Sequence, residues 1–419
     1  MFQSLRTAWK LPDLRKKLIM TLLLLGIYRL GSHIPAPGID VSLIKLGESG
    51  GLLNLVDMFA GGNLQNMTIL ALNVGPYITA SIIFQLLVMV IPALERMQKD
   101  GGEEGRKKLA QYQRYATIAL AAFQAWALVA GFRSAIISNS YIPLIILIFT
   151  AGSMFSMWLG EKITELGIGN GISLLIFVGI VSRLIPSTRQ TILSVGEGGL
   201  NPILLVISLA LSLVIVAGIV MGTQGERRIP VQYAKRVVGR RMYGGQTTHL
   251  PMKVNQAGVI PVIFASSLLA FPFTIAGFFG DAPWAKWIVD HLGYTTIPYQ
   301  LLYAILTFVF TFFYTAVTFN SVEVADNMKK YGGFVPGIRP GKPTSDYLEK
   351  VLTRVTFVGA VFLTAVAILP NLLSFVGLPA LFGGAFGGTG LIIVVGVALD
   401  TMKQIEAQLL MRQYEGFMK

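Results

Sequence analysis

The side chains that commonly perform covalent, acid–base or metal chemistry are few in this chain, and their spacing supports none of it. His33, His249 and His291 lie far apart in loops or at the ends of apolar stretches. There is no cysteine, hence no disulfide framework and no thiolate metal site. Glu161 and Glu165 flank one apolar stretch and Asp400 ends another, where solvated helix-end charges are the default reading. The run Gly337-Ile-Arg-Pro-Gly-Lys342-Pro-Thr344 faintly echoes a phosphate loop, but its spacing is wrong and Pro343 replaces the hydroxyl residue that would hold a metal. No His/Asp/Ser set and no paired carboxylates sit inside an apolar stretch, so the sequence calls for no enzyme site, no cofactor and no metal. What remains is clustered positive charge. Arg227-Arg228, Lys235-Arg236 and Arg240-Arg241 are mixed with Tyr233, Tyr243 and turn glycines, and Arg339 stands between Gly337-Ile338 and Pro340-Gly341, on a stiff tip. Such charge either docks an acidic or phosphate-rich partner or only orients the chain in a membrane.

The elements that carry these loops are apolar. Of 419 residues, 53% are hydrophobic and 13% charged, and the mean hydropathy is +0.65. A helix needs about 20 apolar residues to cross a bilayer. Spans are expected at roughly 18–34, 67–93, 115–132, 142–159, 171–185, 202–222, 258–279, 299–319, 355–376 and 387–402. Leu18 to Leu30 lacks a small-residue cleavage site after it, so it reads as a retained first span rather than a signal peptide.

Lys and Arg alternate between the intervening segments. The N-terminal tail, the second loop, the sixth loop (223–257), the eighth loop (320–350) and the C-terminal tail hold 5, 6, 7, 5 and 3. The others hold none to two. The positive-inside rule then places both termini in the cytosol, so the net charge of +13 need not mean nucleic acid. Ten spans divide into two halves, 1–185 and 186–419. Five spans per half would make the halves inverted, as in many channels and transporters. Gly-rich entries at Gly167 to Gly171 and Gly387 to Gly390 echo one another, though ordinary loop glycines before a helix would look the same. Ion-coupled transporters usually keep an ionisable residue within their spans; its lack here, with the long basic loops, argues against a secondary solute transporter.

The segment Leu52 to Gly62 is apolar but too short to span. It is either a re-entrant helix, tolerated only where protein or a water-filled cavity surrounds it, or an amphipathic helix on the outer leaflet. The stretch from Arg228 to Val238 alternates apolar and polar residues, the pattern of a protruding hairpin.

Several of these runs together resemble the SecY/Sec61-alpha family of protein-translocation channels. They are Met58-Phe-Ala-Gly-Gly62, Asn73 to Leu87, Trp158 to Ser173, Tyr233-Ala-Lys-Arg236, Gly239-Arg-Arg241, Ala257 to Ser267, Phe334 to Gly341 and Phe386-Gly-Gly-Thr-Gly390. They occur in order across essentially the whole chain.

The resemblance implies an all-α membrane protein of ten transmembrane helices, in two inverted five-helix halves that form an hourglass channel with a lateral gate. It implies a pore ring of Ile78, Ile82, Ile176, Ile180, Ile263 and Ile393. It implies a short plug helix at about Asn54 to Asn66, with Leu55, Val56, Asp57, Met58, Phe59, Ala60, Gly61 and Gly62 at its centre. A lateral gate between spans two and three and spans seven and eight would carry Ser81, Gln85, Ser266 and Ser267. Lys235, Arg236, Arg240, Arg241 and Arg339 would dock partners, Arg339 the motor and Arg240 and Arg241 the ribosome. The implied partners are the small membrane subunits SecE and SecG, the SecA motor ATPase, the ribosome, signal sequences with unfolded preproteins, and membrane lipid, with no sequence-specific nucleic acid. The implied location is the bacterial cytoplasmic membrane.

Overall fold

Proline sets the start of seven helices. It occupies the first or second position, where the missing N–H is no loss, in α2 (Pro12–Gly31), α3 (Gly75–Val90), α4 (Pro92–Lys99), α6 (Ile142–Leu166), α8 (Pro202–Gln224), α10 (Pro283–His291) and α11 (Ile297–Thr318). Asn201, Thr296 and Asn320 cap α8, α11 and α12 (Ser321–Lys330) through their side-chain oxygens. The remaining helices are α1 (Phe2–Lys10), α5 (Gly102–Gly131), α7 (Gly171–Gly196), α9 (Ile260–Phe278), α13 (Lys342–Phe375) and α14 (Gly388–Phe417). The computed structural model describes residues 2–41, 61–196, 201–233, 236–238, 241–243, 247–278, 282–293, 296–375 and 388–417.

Nine of the ten expected spans fall each on one helix, α2, α5, α6, α7, α8, α9, α11, α13 and α14, and the second overlaps α3. Among the described residues, α6, α8, α11 and α13 are each long and apolar enough to cross a membrane unaided, and α3 with α4 makes a fifth candidate bent by 101°. The apolar parts of α7 and α9 are shorter, Gly171–Arg183 and Ile260–Pro272, ending at a charge and at a proline.

Span two departs from expectation. The stretch 67–93 is not one helix: residues 61–74 turn back and forth, and helix begins only at Gly75. Met67 and Asn73 take positive φ, +40° and +49°, a conformation that interrupts a right-handed helix. This irregular backbone is largely buried, and its polar groups are satisfied by the chain after α2: Ala36 N donates to Met67 O (2.9 Å) and Ile69 N to Ile34 O (2.9 Å). Buried backbone at membrane depth requires such internal partners.

Helix packing separates two groups. In the first, α2 packs on α6 and α7, α3 on α5, and α5 on α6; in the second, α9 packs on α11, α11 on α13, and α14 on α8 and α13. The groups meet along two seams. On one, α9 lies against α3 and α5; on the other, α14 lies against α7 and α1. The largest apolar cluster straddles both seams, with residues from Leu24 in α2 to Val397 in α14.

The sixth loop forms a hairpin longer than expected, and the described residues of 228–238 lie wholly in its first arm. β1 (Glu226–Tyr233) pairs antiparallel with β4 (Thr247–Lys253), Ile229 opposite Leu250 and Val231 opposite Thr248. β2 (Arg236–Val238) pairs with β3 (Arg241–Tyr243). β5 (Gly333–Phe334) adds to β1, giving the order β4-β1-β5. Ile229, Val231 and Met252 rest on Leu348, Val351 and Leu352 of α13. The basic loops are therefore seated on an extension of a span.

Candidate pore, gate and docking site

The six isoleucines lie on four helices whose contacts run in sequence: α3 touches α9, α9 touches α14, and α14 touches α7. Ile78 and Ile82 are one turn apart on α3, as are Ile176 and Ile180 on α7, so each pair faces one direction. Ile263 is on α9 and Ile393 on α14. None is more than 8% exposed, and all six belong to the one cluster that crosses the seams. The fold thus brings together residues separated by more than 300 positions. Branched aliphatic side chains offer water and ions no hydrogen bonds.

Of the expected plug, Leu55, Val56, Asp57, Met58, Phe59 and Ala60 lie outside the described residues; Gly61 and Gly62 lie within them. From Gly61 to Asn66 the chain is turn, not the helix expected to continue to Asn66. The reason is the glycine pair, at φ +69° and +90°. Gly61 also meets α7 backbone to backbone: a Cβ there would come within 2.6 Å of Gly179 Cα. Arg183, one turn further along α7, covers Gly62 and donates from Nη2 to Gln65 Oε1 (3.1 Å). Asn63 Nδ2 donates to the Tyr28 hydroxyl of α2 (3.3 Å). The described end of the expected plug segment, Gly61 to Asn66, is therefore fastened to two spans. Sequence reasoning missed Gly179 and gave Arg183 no role beyond its charge. The signal available was a lone glycine inside a run of Ile and Val, which marks close backbone approach.

The four residues expected at the gate divide between α3 and α9, helices that meet on one seam. Gln85 Nε2 lies 3.5 Å from Ser81 Oγ within α3, and Ser266 donates to Ile263 O (2.8 Å) within α9. Both bonds stay inside their own helix, and Gln85 Oε1 is buried without a partner. Small side chains near a helical carbonyl satisfy themselves locally before reaching across an interface.

Among the docking residues, Arg339 is exposed on a loop held at both ends. Gly337 and Gly341 take φ +83° and +100°, Ile338 N donates to Val335 O (3.0 Å), and buried Thr344 donates from Oγ1 to Arg339 O (2.8 Å). The backbone, not the guanidinium, carries those bonds, so the charge stays presented outward. Arg236 and Arg241 fall on β2 and β3, and Lys235 and Arg240 lie outside the described residues.

Glu161 corrects the helix-end reading. It accepts two hydrogen bonds from Arg114, Nε to Oε1 at 3.0 Å and Nη2 to Oε2 at 2.9 Å, tying α5 to α6. Glu165 pairs with Lys162 at 2.7 Å on its own helix. A further cross-link joins the start of the chain to its last helix. Asp13 pairs with Arg412, Lys17 Nζ donates to Gln408 Oε1 (3.3 Å), Gly169 N donates to Gln404 Oε1 (2.9 Å), and Ala8, Leu14, Ile168, Ile405 and Leu409 form an apolar cluster beneath. Among the described residues, no group of three or more His, Cys, Asp or Glu side chains is placed to hold a metal.

This architecture has close relatives. The SecY family profile matches residues 68–402. The protein translocase subunit SecY of Streptomyces scabiei is 48% identical, over 100% of both chains. That of Halalkalibacterium halodurans is also 48% identical over 100% of both, and that of Mycobacterium tuberculosis 47%, over 99% of this chain and 98% of its own. A solved structure described as a protein conducting channel superposes with a TM-score of 0.70 at 20% identity, covering 94% of this chain and 92% of that one. Sec61 in the canine ribosome-channel complex superposes at 0.66, with 20% identity and the same coverage. With full-length relatives of one name and a shared channel fold, the chain belongs to the SecY family.

Proposed function

We infer that this chain is a protein-conducting channel, a multi-pass membrane protein that passes other polypeptides rather than solutes. One structural observation carries the reading: six buried isoleucines from four helices, on both sides of the seam between two helix groups. An apolar waist excludes water and ions, as a hydrophobic gate does, and it parts around an extended chain without binding it. The two groups are the halves 1–185 and 186–419. Ile78, Ile82, Ile176, Ile180, Ile263 and Ile393 are its ring, and the segment about 54–66 is the plug above it. Ser81, Gln85, Ser266 and Ser267 line a lateral gate, where signal sequences and membrane-protein segments leave for the lipid. The bonds of Ser81, Gln85 and Ser266 stay within one helix, so among the described residues parting α9 from α3 breaks none of them.

Energy enters from outside the spans. Arg339 is the contact for the motor ATPase SecA, and Lys235, Arg236, Arg240 and Arg241 face the ribosome; SecE and SecG complete the assembly. A similar fold is described for a ribosome-bound Sec61 complex, which supports the ribosome as a partner. The chain lies in the bacterial cytoplasmic membrane with both termini in the cytosol, as the Lys and Arg alternation requires.

Crosslinking tests the ring. Cysteines replacing Ile82, Ile180 and Ile393, singly, in a chain that has none of its own, are expected to capture a secretory chain stalled in transit. Control cysteines on lipid-exposed residues of α8, such as Leu213, are expected not to. Equal capture at both sets would remove these residues from the path.

A further inference from the structure

The helix between spans seven and eight has two distinct faces. Ala285, Ile288 and Leu292 are spaced i, i+3, i+7; Ala285 is fully buried, and Ile288 and Leu292 pack on the central cluster. The neighbouring face repeats that spacing with Trp284, Trp287 and His291. Trp284 and Trp287 are 45% and 56% exposed, and the His291 ring stacks on Trp287 with centroids 5.0 Å apart and planes at 16°. Lys286 and Asp290 are exposed beside them. Two half-exposed indoles suit neither bulk water nor the bilayer core: the ring is apolar, but its N–H seeks a polar partner. The headgroup region provides both, and tryptophan concentrates there.

The surface continues into lipid-facing surface. Immediately after this helix, α11 begins an exposed aliphatic band, Ile297 (70%), Leu301 (58%) and Ile305 (50%), spaced by four and therefore on one side. α10 ends at His291, six residues before that band begins at Ile297, so the chain passes from the aromatic helix directly into a lipid-facing span.

We propose that α10 is an interfacial anchor, whose Trp284, Trp287 and His291 face lies in the headgroup boundary of the outer leaflet. Its ligand is the lipid surface itself. Because α10 packs on α9, the anchor ties the external end of a gate helix to the membrane and gives α9 a fixed pivot. The outer-leaflet placement rests on the topology proposed above.

The test uses the full-length chain in phosphatidylcholine liposomes brominated either near the headgroup end or near the methyl end of the acyl chain. The chain has five tryptophans, so replacing Trp9, Trp126 and Trp158 with phenylalanine leaves Trp284 and Trp287 as the emitters. Headgroup-proximal bromine is expected to quench about twofold more than terminal bromine, with little quenching by acrylamide in water. Strong acrylamide quenching without a bromine effect, deeper quenching than shallow, or protection from both (a protein covering the face) would each overturn the anchor. If the triple replacement does not fold, the unmodified chain is compared with Trp284→Phe/Trp287→Phe. The difference should carry the shallow-bromine component, and equal quenching overturns the proposal. Lys286→Cys tests sidedness separately: a membrane-impermeant maleimide should label it in intact cells. Labelling only in inverted vesicles would overturn the external placement while the quenching still reports lipid contact.

Discussion

At the scale of single residues, the sharpest constraint is the contact of Gly61 with Gly179. A side chain at 61 meets α7 backbone at 2.6 Å, which cannot swing aside, and does so at φ +69°. Overpacking a tight contact costs about 1–3 kcal/mol, and a left-handed conformation adds roughly 1–2 kcal/mol for a residue with a Cβ. Gly61→Val is therefore expected to push the segment away from α7, lowering the melting temperature and raising ion leak in reconstituted bilayers. Gly26→Ala is the control, since nothing lies within 4 Å of the added methyl, and its stability should not fall. Unchanged melting and leak in Gly61→Val would show that the segment leaves this contact freely. The sequence held both glycines, but they stand 118 positions apart, so only the fold reveals their meeting. Arg114 and Glu161 teach the same lesson. Glu161 looked like a solvated helix-end charge, yet with Arg114 it makes a two-bonded pair between spans. Being partly exposed, it contributes at most about 1 kcal/mol, so its value is in fixing how α5 lies on α6.

At the scale of elements, the loop proposed to dock the motor is held rigidly around Arg339. Arg339 sits between two positive-φ glycines, with its carbonyl held by Thr344 and its loop seated on the sheet and α13. Arg339→Glu reverses the charge without touching those backbone bonds. It is expected to leave membrane insertion and folding intact while motor-driven export falls by about tenfold or more, consistent with about 1.5–3 kcal/mol for hydrogen bonds to a charged group. Export at the normal rate, measured with a radiolabelled preprotein in inverted vesicles, would exclude Arg339 from the motor contact. The hairpin that carries the other arginines was legible from alternation alone, because the side-chain period of a strand is two. The break in span two was less so. Hydropathy over 67–93 is continuous and does not register that Asn73 and Met67 leave the right-handed region.

At the scale of the whole molecule, the two helix groups meet along two seams of different character. The seam of α14 with α7 and α1 is cross-linked by Asp13–Arg412, Lys17–Gln408 and Gly169–Gln404. On the seam of α9 with α3 and α5, Ser81, Gln85 and Ser266 keep their hydrogen bonds within their own helices. Opening about the second seam, hinged on the first, disturbs the fewest polar contacts. In the proposed channel the isoleucines close the waist and the plug is the second seal. Deleting residues 54–66 is expected to raise the resting conductance of reconstituted channels in planar bilayers, because the fastening at Gly61, Gly62, Asn63 and Gln65 goes with them. A resting conductance equal to that of the intact chain would mean the isoleucines seal alone.

The sequence by itself determined that this is a membrane protein, where its ten apolar stretches lie, and which loops carry the positive charge. Those properties are local: each is a sum over about 20 neighbouring residues, and the bilayer reads that sum directly. The family resemblance named the six isoleucines by their motifs. Only the tertiary structure decided that those six, among so many branched aliphatics, share one buried cluster while Ile203, Ile207 and Ile305 face outward. The physical reason is that lipid and protein interior are equally apolar, so hydropathy cannot tell a lipid-facing isoleucine from one at the waist. Packing makes that choice, through close approaches such as Gly61 on Gly179 that set which face of each helix turns inward.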